Sequence, residues 1–189
     1  MSDINTDINI ENTADDTTTG DTGSKNRVVR VIVDILLIGV LIGLDQVSKY
    51  FAVLYLKDKQ SIIIWDRVFE LCYLENRGAA FGIMQNQKLF FLIVASIMIL
   101  VVLYFLIRIP SDRKYLLLRI CMMLIGAGAV GNMIDRLTTE YVVDFFYFVL
   151  INFPIFNVAD IYVTVSCAIL IISILFIYKE DDLKFLKVK

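Results

Sequence analysis

Two aspartates stand where carboxylates are costly. Asp144 lies in Val143-Asp144-Phe145, and Asp160 closes Phe156-Asn157-Val158-Ala159-Asp160. An isolated carboxylate among apolar and aromatic side chains loses much of its hydration. Two carboxyls brought together in such surroundings do not both ionise, so the pair holds one shared proton. One member then activates a water as general base, and the other, protonated, polarises a scissile carbonyl. The chain has no histidine, which removes Ser-His-Asp triads, Cys-His dyads and histidine-bearing zinc sites. A water-activating carboxyl pair is the main hydrolytic machinery left. An equally weighted structural reading has each aspartate capping a helix or pairing with Arg136 or Lys49.

Three further polar clusters accompany them. Asp45 and Lys49 are four residues apart and share one helical face, as a charge-neutralising ion pair or as the brace of a polar site. Asn76-Arg77-Gly78-Ala79-Ala80-Phe81-Gly82 joins a side-chain amide to two glycines that permit a tight turn. Asn132-Met133-Ile134-Asp135-Arg136 follows a run containing Gly126, Gly128 and Gly131, small residues suited to close helix packing. Asp135 and Arg136 are adjacent, do not face each other on a helix, and so need separate partners.

The elements that position these residues are membrane spans. Of the 189 residues 58% are hydrophobic and mean hydropathy is +0.73. A soluble domain is roughly 45–50% apolar, so the surplus surface must face lipid. Apolar runs cover about 31–50, 89–107, 115–134 and 161–178, each near the ~20 residues needed to cross ~30 Å of hydrocarbon. The polar clusters bunch at one end of these runs, and ionisable residues at membrane depth are functional candidates by default. Basic residues gather before the first span, between the second and third, and after the fourth. That pattern puts both termini in the cytoplasm and the clusters at the outer face.

The segment about 61–74 is rich in β-branched and aromatic residues, with Asp66-Arg67 between its halves, and predicts a surface hairpin. Trp65 and Tyr73 suit the membrane interface. Residues 1–24, acidic and Thr-rich with no basic residue, read as a disordered tail before a single membrane domain spanning 25–189. The net charge of −2 and the absence of a basic patch exclude nucleic acid as a partner. Cys72, Cys121 and Cys167 lack metal-ligand spacing, and the last two read as small apolar residues.

Taken together, the five motifs closely resemble those of the bacterial lipoprotein signal peptidases (type II signal peptidases). They are Asp45-Gln46-Val47-Ser48-Lys49, Asn76 to Gly82, Gly128 to Arg136, Val143-Asp144-Phe145 and Phe156 to Asp160, in that family's order. The resemblance covers about residues 28–178. It implies an aspartic endopeptidase of the bacterial cytoplasmic (inner) membrane that cuts diacylglyceryl-prolipoproteins just before the lipid-modified cysteine. It implies Asp144 and Asp160 as the catalytic dyad, supported by Asp45, Lys49, Asn76, Gly78, Asn132, Asp135, Arg136 and Asn157. The implied fold is all-α in the membrane, four transmembrane helices with a small β-cradle on the outer side. No metal or organic cofactor is expected, the macrocyclic peptide globomycin is the expected class of inhibitor, and a monomer surrounded by membrane lipids is favoured. A small transporter using Asp144, Asp160 and Arg136 as a relay is disfavoured by the few spans and absence of an inverted repeat. A non-enzymatic scaffold would use the same polar clusters only to pin helices together. A presenilin-type protease needs Tyr-Asp and Gly-x-Gly-Asp contexts, which are missing.

Overall fold

The computed structural model describes residues 19–78 and 87–186, with side chains described for 29–78 and 87–185. Four long helices, α1 (Thr19–Leu56), α2 (Lys88–Arg108), α3 (Leu116–Thr138) and α4 (Val158–Phe176), are joined by three strands, two between α1 and α2 and one between α3 and α4. The strands are β1 (Ile62–Trp65), β2 (Phe69–Asn76) and β3 (Val142–Phe148). The helical stretches Val29–Leu56, Lys88–Arg108, Arg113–Thr138 (α3 with the short 3-10 turn Arg113–Tyr115 before it) and Val158–Phe176 are long and apolar enough to span a membrane. The four expected runs thus become four spans. The first helix begins at Thr19, so the end of the segment read as a tail is helical, while residues 1–18 lie outside the described residues.

The third span is the pillar of the bundle. In its most apolar stretch 56% of residues are buried, against 11%, 11% and 22% in the other three. The cause is its glycines. A Cβ on Gly128 would meet the Ala159 carbonyl oxygen at 2.5 Å, and one on Gly126 would meet Val102 at 3.0 Å. Hydrogen at these positions lets α2 and α4 close on α3 from either side, the small-residue packing that operates where hydrophobic driving force between helices is absent. Val102, Leu106, Leu118, Met122 and Ile125 fill the lower seam, capped by Tyr178. The remaining faces of α1, α2 and α4 carry exposed Leu, Ile, Val and Phe, as lipid requires.

A buried ion pair ties α1 to α3 away from the polar clusters. Arg119 Nε donates to Asp34 Oδ1 at 2.8 Å, and its Nη2 bonds Oδ2 as well. Each is a lone charge within an apolar run of the sequence; together they neutralise one another in the bidentate geometry that suits guanidinium and carboxylate.

The strands form one antiparallel sheet in the order β1-β2-β3. The hairpin expected at 61–74 is β1-β2, turned at Asp66-Arg67 with Arg67 at φ 58° and closed by Val68 N donating to Trp65 O at 2.9 Å. The third strand, which the sequence did not predict, carries Asp144. Residues 142–148 pair with β2, so that Leu74 stands opposite Asp144 and Asn76 opposite Val142. Phe146 and Phe156 pair in turn, each amide donating to the other's carbonyl at 2.9–3.0 Å. The sheet therefore carries Asn76 and Asp144 side by side and leads directly into the start of α4. Trp65 is exposed, as an interfacial ring would be. Tyr73 is half-buried, its hydroxyl donating to Glu75 at 3.1 Å and its ring beneath the Lys57 ammonium at 5.4 Å.

Candidate active site

Asp160 is placed by a helix start. Asn157 caps α4, its Oδ1 accepting from Asp160 N at 3.0 Å, while Asp160 Oδ2 accepts from Asn157 N at 3.1 Å. This reciprocal capping box satisfies two of the unpaired amides at a helix N-terminus. It also settles which way the Asn157 amide faces. With Oδ1 committed to a backbone donor, Nδ2 turns outward and donates to Asp144 Oδ1 at 2.6 Å.

The other oxygen of Asp144 is served by Asn76 Nδ2 at 2.8 Å. That amide is oriented in the same manner, because Asn76 Oδ1 accepts from Gly78 N at 2.9 Å. Two asparagines locked by backbone N–H groups thus present one donor to each oxygen of Asp144. The carboxyl is 1% exposed, and its pKa is pushed up to about 7, chiefly by burial and next by the charge of Asp160. The two amide donors pull the other way without offsetting it.

Asn132 completes the ring. Its Oδ1 accepts from Lys49 Nζ at 2.9 Å and from Asn157 Nδ2 at 3.2 Å, and its Nδ2 donates to Asp160 Oδ1 at 2.8 Å. An ammonium only donates, so Lys49 fixes the orientation of the Asn132 amide and thereby its donor toward Asp160. Lys49 itself is 3% exposed and sits 2.8 Å from both Asp45 Oδ2 and Asp135 Oδ2. Those two carboxylates have structural duties. Asp45 Oδ1 accepts from Ala159 N at 2.9 Å, holding the first turn of α4. Asp135 Oδ2 accepts from Val143 N at 3.4 Å, beside Asp144 on β3. Gly131 is hydrogen-sided against Asp45, since a Cβ there would lie 2.5 Å from Oδ2.

Arg136 turns away from Asp135, as adjacency required. It donates to Gly78 O at 3.4 Å and lies over the Phe91 ring at 4.7 Å. Neither Asp144 nor Asp160 is ion-paired with Lys49 or Arg136 among the described residues; Lys49 is held by Asp45 and Asp135. The structural reading of the pair therefore holds only for Asp160, which does close a cap. Both carboxyls face a cavity of about 510 Å³. Asn76, Gly78 and Arg136 form its polar wall, and Phe153, Pro154, Ile155, Phe156, Ile161 and Val165 its apolar one.

A family model described as signal peptidase (SPase) II matches residues 37–176. The chain belongs to the signal peptidase II family. It is similar to the lipoprotein signal peptidase of Clostridioides difficile (strain 630), 45% identical over 142 residues, covering 75% of this chain and 94% of the relative. The lipoprotein signal peptidase of Clostridium tetani is 40% identical over 151 residues, covering 78% and 94%. Among solved structures, a bacterial membrane enzyme determined by the in meso method at 2.3 Å resolution superposes with TM-score 0.68 at 33% identity, covering 83% of this chain and 94% of that one. A second, at 1.9 Å resolution, gives TM-score 0.66 at 34% identity over 77% and 94%. As a member of this family the chain is a membrane-embedded aspartic endopeptidase.

All ten residues expected from the signal peptidase motifs meet in one hydrogen-bonded assembly: Asn76, Gly78, Arg136, Asp144 and Asp160 line the cavity, and Asp45, Lys49, Asn132, Asp135 and Asn157 stand behind them. Ala79 to Gly82 of the second motif lie outside the described residues. One member of the assembly was not singled out. Gln46 Nε2 donates to Asp135 Oδ1 at 2.9 Å and to Gly131 O and Asp45 Oδ2 at 3.2 Å each. Its place between Asp45 and Lys49, in an otherwise apolar helix, was the available signal.

Proposed function

We propose that Asp144 and Asp160 are the catalytic dyad of a peptidase that removes signal peptides from diacylglyceryl-modified prolipoproteins, cutting before the modified cysteine. One observation carries the assignment. Among the described residues these are the two carboxyls that face the cavity without a cationic partner, each held by oriented amide donors. Lys49 is already outnumbered by Asp45 and Asp135, so the cluster favours one proton shared between Asp144 and Asp160 over two full charges. The ionised member takes a proton from water as it attacks the scissile carbonyl, and the protonated member donates to the oxygen that becomes negative. Collapse of the tetrahedral intermediate returns a proton to the leaving amine. Asn76, Asn132 and Asn157 hold both carboxyls in register, and Lys49 acts through Asn132.

The shape of the cavity supports the substrate. Its wall of Phe153 to Phe156, Ile161 and Val165 suits the apolar residues and acyl chains that reach a lipid–water boundary with such a substrate. The same wall would receive a globomycin-class macrocycle. The basic segments at the opposite end of the bundle support cytoplasmic termini in the inner membrane, with the dyad at the outer face. A monomer suffices, because one chain supplies every residue named.

The test is to incubate the detergent-solubilised protein with a prolipoprotein bearing or lacking the diacylglyceryl group and identify products by mass spectrometry. Cleavage of the modified form alone, immediately before its cysteine, is expected. Equal cleavage of both forms, or a cut elsewhere, would contradict the proposal.

A further inference from the structure

The end of the bundle opposite the aspartates carries a second built feature. Arg119 is 16 residues before Asp135 on α3, hence about 24 Å away along the helix at ~1.5 Å per residue. Around it lie two adjoining cavities. The smaller, about 110 Å³, is lined by Arg30, Arg108, Ser111 and Arg119 along with Ile107 and Pro110. The larger, about 350 Å³, shares Arg30, Pro110, Ser111 and Arg119 with it and continues along Val33, Leu37, Leu116, Ile120 and Met123.

We infer that these cavities together bind one anionic phospholipid of the leaflet opposite the dyad, its phosphate in the smaller cavity and an acyl chain in the larger. Charge argues for the head group. The combined walls hold four arginines, Arg30, Arg108, Arg113 and Arg119, against two aspartates, Asp34 and Asp112. Asp34 takes two of the five N–H donors of Arg119 and holds that guanidinium at the cavity wall. Arg108 is exposed, lies over the Tyr104 ring at 5.1 Å and donates through Nη1 to Phe185 O at 3.5 Å, which leaves further N–H donors available. A serine hydroxyl and planar, fork-shaped donors match phosphate oxygens. The second cavity argues for a lipid over a free anion. Val33, Leu37, Leu116 and Ile120 are 39–55% exposed and open onto the hydrocarbon-facing surface. Basic pockets between spans at this level attract anionic head groups. Such a site would stand whether or not Asp144 and Asp160 are catalytic.

Native mass spectrometry of the full chain, released from detergent with phosphatidylglycerol or phosphatidylcholine added, reads the site directly. Phosphatidylglycerol should be retained, with phosphatidylcholine at least several-fold weaker. Arg108→Gln, which leaves the Asp34–Arg119 pair intact, should weaken phosphatidylglycerol about fivefold, the effect of one basic residue near a membrane surface. Ile120→Trp fills the acyl groove without altering charge and should also weaken it. Arg67→Gln, on the exposed hairpin turn, should change nothing. Equal retention of both lipids, or parent-like binding by both Arg108→Gln and Ile120→Trp, would overturn the inference. Full displacement by glycerol 1-phosphate would overturn it too, in favour of a small-anion site.

Discussion

Replacing Asp144 by asparagine should make the fold less sensitive to pH, and by a calculable amount. The Asp144 carboxyl moves from an ordinary value of 3.8 to about 7, through burial first and Asp160 second. A carboxyl that holds its proton more tightly when folded stabilises the fold below pH ~4, and that stabilisation disappears as pH rises to about 7. Between pH 5 and pH 8 the parent should therefore lose roughly 2.5 kcal/mol, a drop in Tm on the order of 5–10 °C by the scaling for chains of this length. The Asp144→Asn variant has no proton to lose at this position and should be destabilised far less. The substitution carries its own penalty, about 1–3 kcal/mol, because its NH2 must face Asn76 or Asn157, both donors locked by backbone amides. That penalty does not vary with pH, so the difference in slope isolates the titration. Buried Cys121, 1% exposed, supplies the assay through its reaction with a thiol-reactive dye during heating in detergent. Parallel pH dependence in parent and variant would refute the reasoning.

Other outcomes follow from the packing. Gly128→Ala puts a methyl 2.5 Å from the Ala159 carbonyl and 2.8 Å from Val163; it should cost about 1–3 kcal/mol and slow cleavage by moving the start of α4. Gly39→Ala, with nothing within 4 Å, should be silent in the same thermal and activity assays. Arg119→Met strands Asp34 as a buried unpaired charge and should cost about 3–5 kcal/mol, most of it recovered in the Asp34→Leu/Arg119→Met double variant. A double variant as unstable as the single one would mean that the pair does not act as a unit.

The readable parts of this chain were those whose partners lie within one helical turn or one motif. Asp45 and Lys49 could be paired by their spacing, Asp135 and Arg136 could be separated by theirs, and a helix-capping role could be offered for Asp160. Contacts across the bundle were not readable. Asp34 and Arg119 lie 85 residues apart, and nothing local distinguishes a paired charge from a blemish. The third strand escaped because Val142 to Phe145, Asp144 among them, are all buried, so the stretch lacks the alternation that marks a half-exposed strand. The glycines were legible as a packing surface, yet that Gly131 makes room for the Asp45 carboxylate required knowing which helix approaches.

Cleavage of a diacylglyceryl-prolipoprotein by the parent, Asp144→Asn and Asp160→Asn, each shown folded by the shielding of Cys121, tests the dyad most directly. Signal peptide should be released by the parent and fall by at least about 10³-fold in each variant, since both members of a shared-proton pair are needed for the same step. Near-parental release by either variant would remove that aspartate from the dyad and contradict the mechanism.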